Sequence, residues 1–252
     1  MLILALILSL SGCKKVYTKK DMIEYAEQTL EDKYGEEFQV RGGVFNVKGS
    51  SYKVNVSPVN NPEIIFEAVY NVEGSEYDYD LYIESIVASQ YKALVEEQLG
   101  EISCDYYLST RLYLSNSENP ITNTNITIEE YNNLVDEEDQ NPKFKLYLSQ
   151  DILLDTDESI YERLLSIIEI GECRLDIFII TKEDLELVKL EFSERYELDG
   201  STMTYIFEQY ASGVKNGKKG YIHFLGGEQE KSLSYEEFTE KMEEIREDAK
   251  QW

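Results

Sequence analysis

The chain predicts an α+β fold in which helices pack on antiparallel meander sheets, and three observations carry that expectation. Thr18, Thr127, Thr181 and Ser234 each stand three residues before an acidic residue (Asp21, Glu130, Asp184 and Glu237). This is the capping-box spacing, in which a hydroxyl and a carboxylate satisfy each other's backbone N–H groups at a helix start. Several other runs alternate apolar and polar residues with period two, the mark of a strand with one buried face. The two patterns are interspersed along the chain rather than segregated into an all-helical and an all-strand block.

Taken in order, Ile23, Ala26, Leu30 and Tyr34 recur at helical spacing after Thr18, and Gly35 sits where that helix would stop. Tyr52, Val54 and Val56 alternate up to Pro58, and Ile64, Phe66 and Ala68 alternate after Pro62, within an expected three-strand meander. A helix follows over 81–99. Then Cys104, Tyr106, Leu108, Thr110, Leu112 and Leu114 alternate with Asp105, Ser109 and Arg111 on the other face. The second half reads as helix–strand steps, with a helix over 158–170 and strands through Phe144–Leu148, Leu175–Ile179 and Tyr221–Leu225. Phe238, Met242, Ile245 and Ala249 give a closing acidic helix after Ser234.

The stretch 115–125 is rich in Ser, Asn and Thr and holds Pro120, so it reads as a boundary. Two small α+β domains, 19–116 and 126–252, are expected; a single continuous α+β domain is the alternative. The echo of Leu112-Tyr113-Leu114-Ser115 in Leu146-Tyr147-Leu148-Ser149 is too short for a repeat.

The leading segment is of a different kind. An apolar run from Leu2 to Leu10 leads into Leu10-Ser11-Gly12-Cys13. It is too short to span a bilayer, which takes about 20 apolar residues. A short apolar stretch closed by small residues has the form of a secretory signal. The four residues resemble the lipobox of bacterial lipoproteins, and the chain as a whole resembles the surface lipoproteins of Gram-positive bacteria. The resemblance implies a signal peptide over 1–12, cleavage before Cys13, diacylation of Cys13, and an extracytoplasmic, lipid-anchored location at the cell membrane. It brings no catalytic residue and no functional family with it. The plain alternative is a signal that is only cleaved, or a truncated membrane helix, against which Lys14-Lys15 argues. A signal usually opens with positive charge; here Met1 runs directly into Leu2, which points to a start a few codons upstream.

Net charge is the second strong signal, at −26 for 252 residues. Four of the 24 basic residues, Lys14, Lys15, Lys19 and Lys20, lie just after Cys13, which leaves 20 basic against 50 acidic residues in the body. Nucleic acid is excluded as a partner, because its binding depends on neutralising phosphates with Lys and Arg. The Lys-rich linker 13–18 and the lysines that follow can attract anionic headgroups by about 1 kcal/mol each within a Debye length. The bland alternative is a solvated linker. Hydrophobic content of 42% with 20 Tyr and 9 Phe is enough for a packed core.

Motifs that would carry chemistry are largely absent from the sequence. Once Cys13 is given to lipid, Cys104 and Cys173 remain, and an oxidising exterior permits a disulfide between them; both lie in apolar runs that suit buried thiols equally well. His223 is the single histidine, so no His-based zinc site can be built. No G-x-S-x-G elbow or S-x-x-K pairing activates a serine. Carboxylates cluster at Glu76, Asp78 and Asp80, at Asp151, Asp155, Asp157 and Glu158, and at 136–139. Counted as calcium loops, the sixth position from Asp155 is Ile160 and from Asp78 is Ile83, where glycine is needed. A solvated acidic face is the simpler reading. Gly213 to Gly227 carries five glycines and three lysines without phosphate-loop spacing, and reads as a hairpin or loop.

Tyrosine concentrates in the first half, at Tyr77, Tyr79, Tyr82, Tyr106, Tyr107 and Tyr113. A flat ring with a polar tip suits protein interfaces, so Tyr77, Tyr79, Tyr82, Tyr107 and Tyr113 are the candidate interaction surface; half-buried strands are the alternative home for them. With no catalytic constellation, metal site or cofactor motif, the expectation is a non-enzymatic, lipid-anchored binding or accessory protein of the bacterial envelope. It would be held to the membrane through Cys13 and contact an envelope protein or peptide. A ligand-capture module for a cation or glycan is the alternative, and a cell-wall hydrolase the second alternative.

Overall fold

A computed structural model describes residues 17–46, 51–71, 78–112, 120–136, 142–154, 158–168, 170, 174–194, 220–225 and 233–250. The first part runs α1 (Lys19–Tyr34), β1 (Phe38–Asn46), β2 (Ser51–Pro58), β3 (Phe66–Asn71), β4 (Tyr79–Asp80) and α2 (Tyr82–Leu99). There follow β5 (Tyr106–Arg111), α3 (Ile128–Asn132), β6 (Lys143–Ser149), a 3₁₀ turn (Gln150–Leu154) and α4 (Glu158–Ile168). The chain then forms β7 (Arg174–Ile180), α5 (Lys182–Glu194), β8 (Gly220–Leu225) and α6 (Tyr235–Ala249). The fold is α+β. Among the described residues no helix is long and apolar enough to cross a membrane.

The helix starts form for the expected reason. Thr18, Thr127 and Ser234 each close a reciprocal capping box with Asp21, Glu130 and Glu237, and the Thr181 hydroxyl accepts the Asp184 N–H at 3.1 Å. Gly35 ends α1 with φ 73°, and its N–H donates to Glu31 O at 2.8 Å. Arg163 of α4 closes α2 from outside, donating to the carbonyls of Leu99 and Glu101. A cation at that helix end suits the dipole.

The first sheet is an antiparallel meander in the order β1-β2-β3-β4. β1 does not read as a strand in the sequence, because a bulge between Val40 and Gly42 breaks its alternation. Past the bulge the strands run very close: a Cβ on Gly43 would lie 2.4 Å from Lys53 O. β3 starts two residues later than Ile64, since turn bonds from Asn61 N to Pro58 O and from Ile64 N to Asn61 O occupy that stretch.

The second sheet corrects the expectation of meanders throughout. Its order is β5-β6-β7-β8, with β6 and β7 parallel and the outer pairs antiparallel. The physical reason is α4, which carries the chain from the end of β6 back to the start of β7. β5 is shorter than the expected 104–114, and it pairs with β6 from the other half of the chain.

One face of the second sheet carries α2, α4 and α6; α5 lies on the other, over β5 and β6. A continuous buried cluster runs from Met22 and Leu30 of α1, through Val54 and Val56, into α2, and on to Phe144, Ile177 and Phe238. Under α5 a smaller cluster joins Leu185 and Val188 to Tyr147 and Ile180, with Tyr107 and Phe178 packed against it. We expect Leu99→Ala and Leu146→Ala, both at buried positions, each to lose about 2–5 kcal/mol of folding stability in urea titrations. A loss below about 1 kcal/mol would mean that these positions are not packed as described.

Candidate functional site

Of the candidate tyrosines, the described ones stand in three different elements: Tyr79 in β4, Tyr82 at the start of α2 and Tyr107 in β5. Tyr82 is 3% exposed, a correction to its reading as a contact residue. Its ring packs against Tyr34 at 4.9 Å, Phe38 at 5.1 Å and Phe66 at 4.9 Å. Its hydroxyl donates to Glu36 Oε1 at 2.7 Å, and burial together with that carboxylate holds the phenol well above its ordinary pKa. Tyr79 is half-buried and donates to Glu67 Oε1 at 3.1 Å. Tyr107 lies half-buried on the α5 side of the second sheet, 6.4 Å from Tyr147, with Lys92 Nζ 5.8 Å from its ring. Tyr77 and Tyr113 lie outside the described residues, as does Cys13. Among the described residues much of the aromatic content goes into the core, with Tyr52, Tyr70, Tyr82, Tyr91, Tyr131 and Tyr147 all buried.

One buried polar centre shows in the sequence only as one carboxylate in a run. Asp80 is buried. It accepts from Lys33 Nζ at 2.8 Å, from the Tyr34 hydroxyl at 2.6 Å and from the Tyr82 N–H at 3.2 Å. Burial, then Asp80, push the Tyr34 phenol far up, so it stays a donor. These bonds complete the acceptor needs of a buried carboxylate, which makes Asp80 a structural group.

A second polar cluster lies at the carboxyl ends of β6 and β7. The connection from β6 leaves through the 3₁₀ turn toward α4 on one face of the sheet, while that from β7 leaves through Thr181 into α5 on the other. In open α/β sheets, the place where the connections of parallel strands part in this way is the usual place for a ligand. Lys182 Nζ meets Asp151 Oδ2 there at 2.6 Å. Ser149, fully buried, donates its N–H to Asp105 O at 2.9 Å. Cys104 sits beside them with a free thiol; Cys173, its expected disulfide partner, lies outside the described residues. Burial first, then Asp151 and Asp105, push the Cys104 pKa up to about 11 against the pull of the Ser149 N–H. The hydrogen bond from Lys182 to Asp151 raises the pKa of that lysine. At neutral pH the Cys104 thiol is therefore protonated, beside the Lys182–Asp151 ion pair.

The sequence shows Asp151 as part of an acidic cluster and Cys104 as a strand thiol, but not Ser149 or Lys182. The missed signal is the spacing from 144–148 through a helix to 175–179, which fits a β–α–β crossover. His223 stands in β8 opposite Asp176. Among the described residues no three of His, Cys, Asp and Glu come together to hold a metal ion.

No protein-family model matches the chain, and no curated protein matches it. Among solved structures it is similar to a DUF5037 family protein from Ruminococcus gnavus, with a TM-score of 0.63 and 17% identity. The match covers 88% of this chain and 99% of that one. At that identity the likeness shows the fold alone.

Two outcomes are expected. In a Cys13→Ala, Cys173→Ser chain, Cys104 reacts slowly with a thiol reagent at pH 7 and accelerates toward pH 11. Asp151→Asn lowers that midpoint, because it removes a negative charge that disfavours the thiolate; an unchanged midpoint would refute the assigned cause. Asp80→Ala leaves Lys33 and Tyr34 without their shared acceptor and lowers stability by about 2–4 kcal/mol in denaturant melts.

Proposed function

We propose that this is a lipid-anchored, extracytoplasmic accessory protein of the bacterial envelope, whose folded head binds a protein or peptide partner. The observation that carries the reading is Leu10-Ser11-Gly12-Cys13 after the apolar run. α1, the first described element, begins six residues beyond Cys13. A diacylated cysteine would therefore hold the head within roughly 20 Å of the bilayer, and two acyl chains are enough for stable attachment. The −26 charge is compatible with a head that works away from nucleic acid.

A second reading, capture of a small polar ligand, is favoured by one observation: charged groups of both signs, Lys182 and Asp151, meet where the connections of the parallel strands part. In that case the anchor would deliver a binding site to the membrane surface.

Labelled palmitate fed to producing cells should appear in the wild-type chain and be lost in Cys13→Ala. In-cell crosslinking followed by membrane extraction should recover an envelope protein with the wild type and not with the unanchored variant. Absence of label from the wild type would overturn the anchor. Label without a recovered partner would move the head to the ligand-capture reading, tested by thermal shift against calcium and cell-wall glycans.

A further inference from the structure

Strand register sets how far apart Cys104 and Cys173 stand, the second being placed through its peptide bond to Arg174. β6 lies between β5 and β7 in the second sheet. Arg174, the first residue of β7, is paired with Lys143, the first residue of β6. At the other end of β6, Ser149 donates its N–H at 2.9 Å to the carbonyl of Asp105, the residue after Cys104. A strand rises about 3.3 Å per residue, and its neighbours lie about 4.8 Å to either side. Asp105 and Arg174 therefore stand at opposite corners of the three strands, roughly 22 Å apart. One peptide step at each end recovers at most about 3.8 Å, which leaves the two cysteine Cα atoms at least roughly 14 Å apart. A disulfide spans no more than about 7 Å between Cα atoms.

We infer that Cys104 and Cys173 do not bridge each other in the folded head, and that a bond made between them before the second sheet closes locks the chain out of its fold. In the folded chain Cys104 holds a free thiol. In the unfolded chain no sheet keeps the two apart, and the entropy cost of closing the loop grows only slowly with its length. Forming the bond takes two electrons and two protons from the thiols and passes them to an external disulfide, such as glutathione disulfide, which leaves as two thiols. The geometry stands with or without the lipid anchor; the extracytoplasmic reading supplies only the oxidising surroundings.

The test uses the full chain with Cys13→Ala, so that Cys104 and Cys173 are its two thiols. One sample is treated with glutathione disulfide while folded, and the other in urea before dilution. Both are mapped by mass spectrometry without reduction and followed by thermal melting. The folded sample should yield no peptide linking Cys104 to Cys173 and should keep its cooperative melt. Chains that acquire the link in urea should lack that melt after dilution and regain it on reduction. A linked peptide from the folded sample with its melt intact overturns the inference. So does a linked chain that returns to the same melt without reduction.

Discussion

The carboxylate of Asp80 is the constraint on which the first half of the molecule depends. It lies at the end of β4, two residues ahead of α2, and gathers the last turn of α1 through Lys33 and Tyr34 and the first N–H of α2 through Tyr82. Leu81 offers α2 no side-chain cap, so the negative charge that favours a helix start comes from Asp80 together with Glu84 in the first turn. A buried charge is tolerated only when its partners are in place. Their presence together fixes where α1 stops, where the meander ends and how α2 leaves it.

What α2 does next explains the architecture. Its first half is buried nearly all round, with Tyr82, Ile83, Glu84, Ile86, Val87 and Ala88 all shielded, whereas its second half buries only Tyr91, Val95 and Leu99. The helix begins wedged beside the meander and ends as an amphipathic helix on the second sheet, next to β5 and α4. Apolar side chains on all sides suit the wedge, and a single stripe suits the surface helix. Arg163 then ties its far end to α4.

Local chemistry was legible in the sequence and long-range chemistry was not. Three helix starts could be read because a capping box is complete within four residues. Strands such as β2 could be read because one face is buried along their length. β1 escaped notice because its bulge and the Gly42-Gly43 pair break the period, and only the closeness of β2 explains those glycines. The parallel pairing of β6 with β7 leaves no mark on either strand alone, so the meeting of Lys182 and Asp151 at their carboxyl ends is not legible either. The burial of Tyr82 is not legible for a related reason: its ring is covered by Tyr34, Phe38 and Phe66, which are remote in sequence.

The two sheets differ in how far apart in the chain their strands lie. The meander is complete by Asp80, from neighbouring strands, while the second sheet draws on residues from Tyr106 to Leu225 and includes a crossover. Local pairings close cheaply and quickly, whereas distant ones must first overcome loop entropy. A chain made from its amino end would therefore hold a finished first sheet and a formed α2 while β6, β7 and β8 are still missing. In that interval the apolar stripe through Tyr91, Val95 and Leu99 faces water, and it is the surface most in need of shielding from neighbouring chains until synthesis reaches β8.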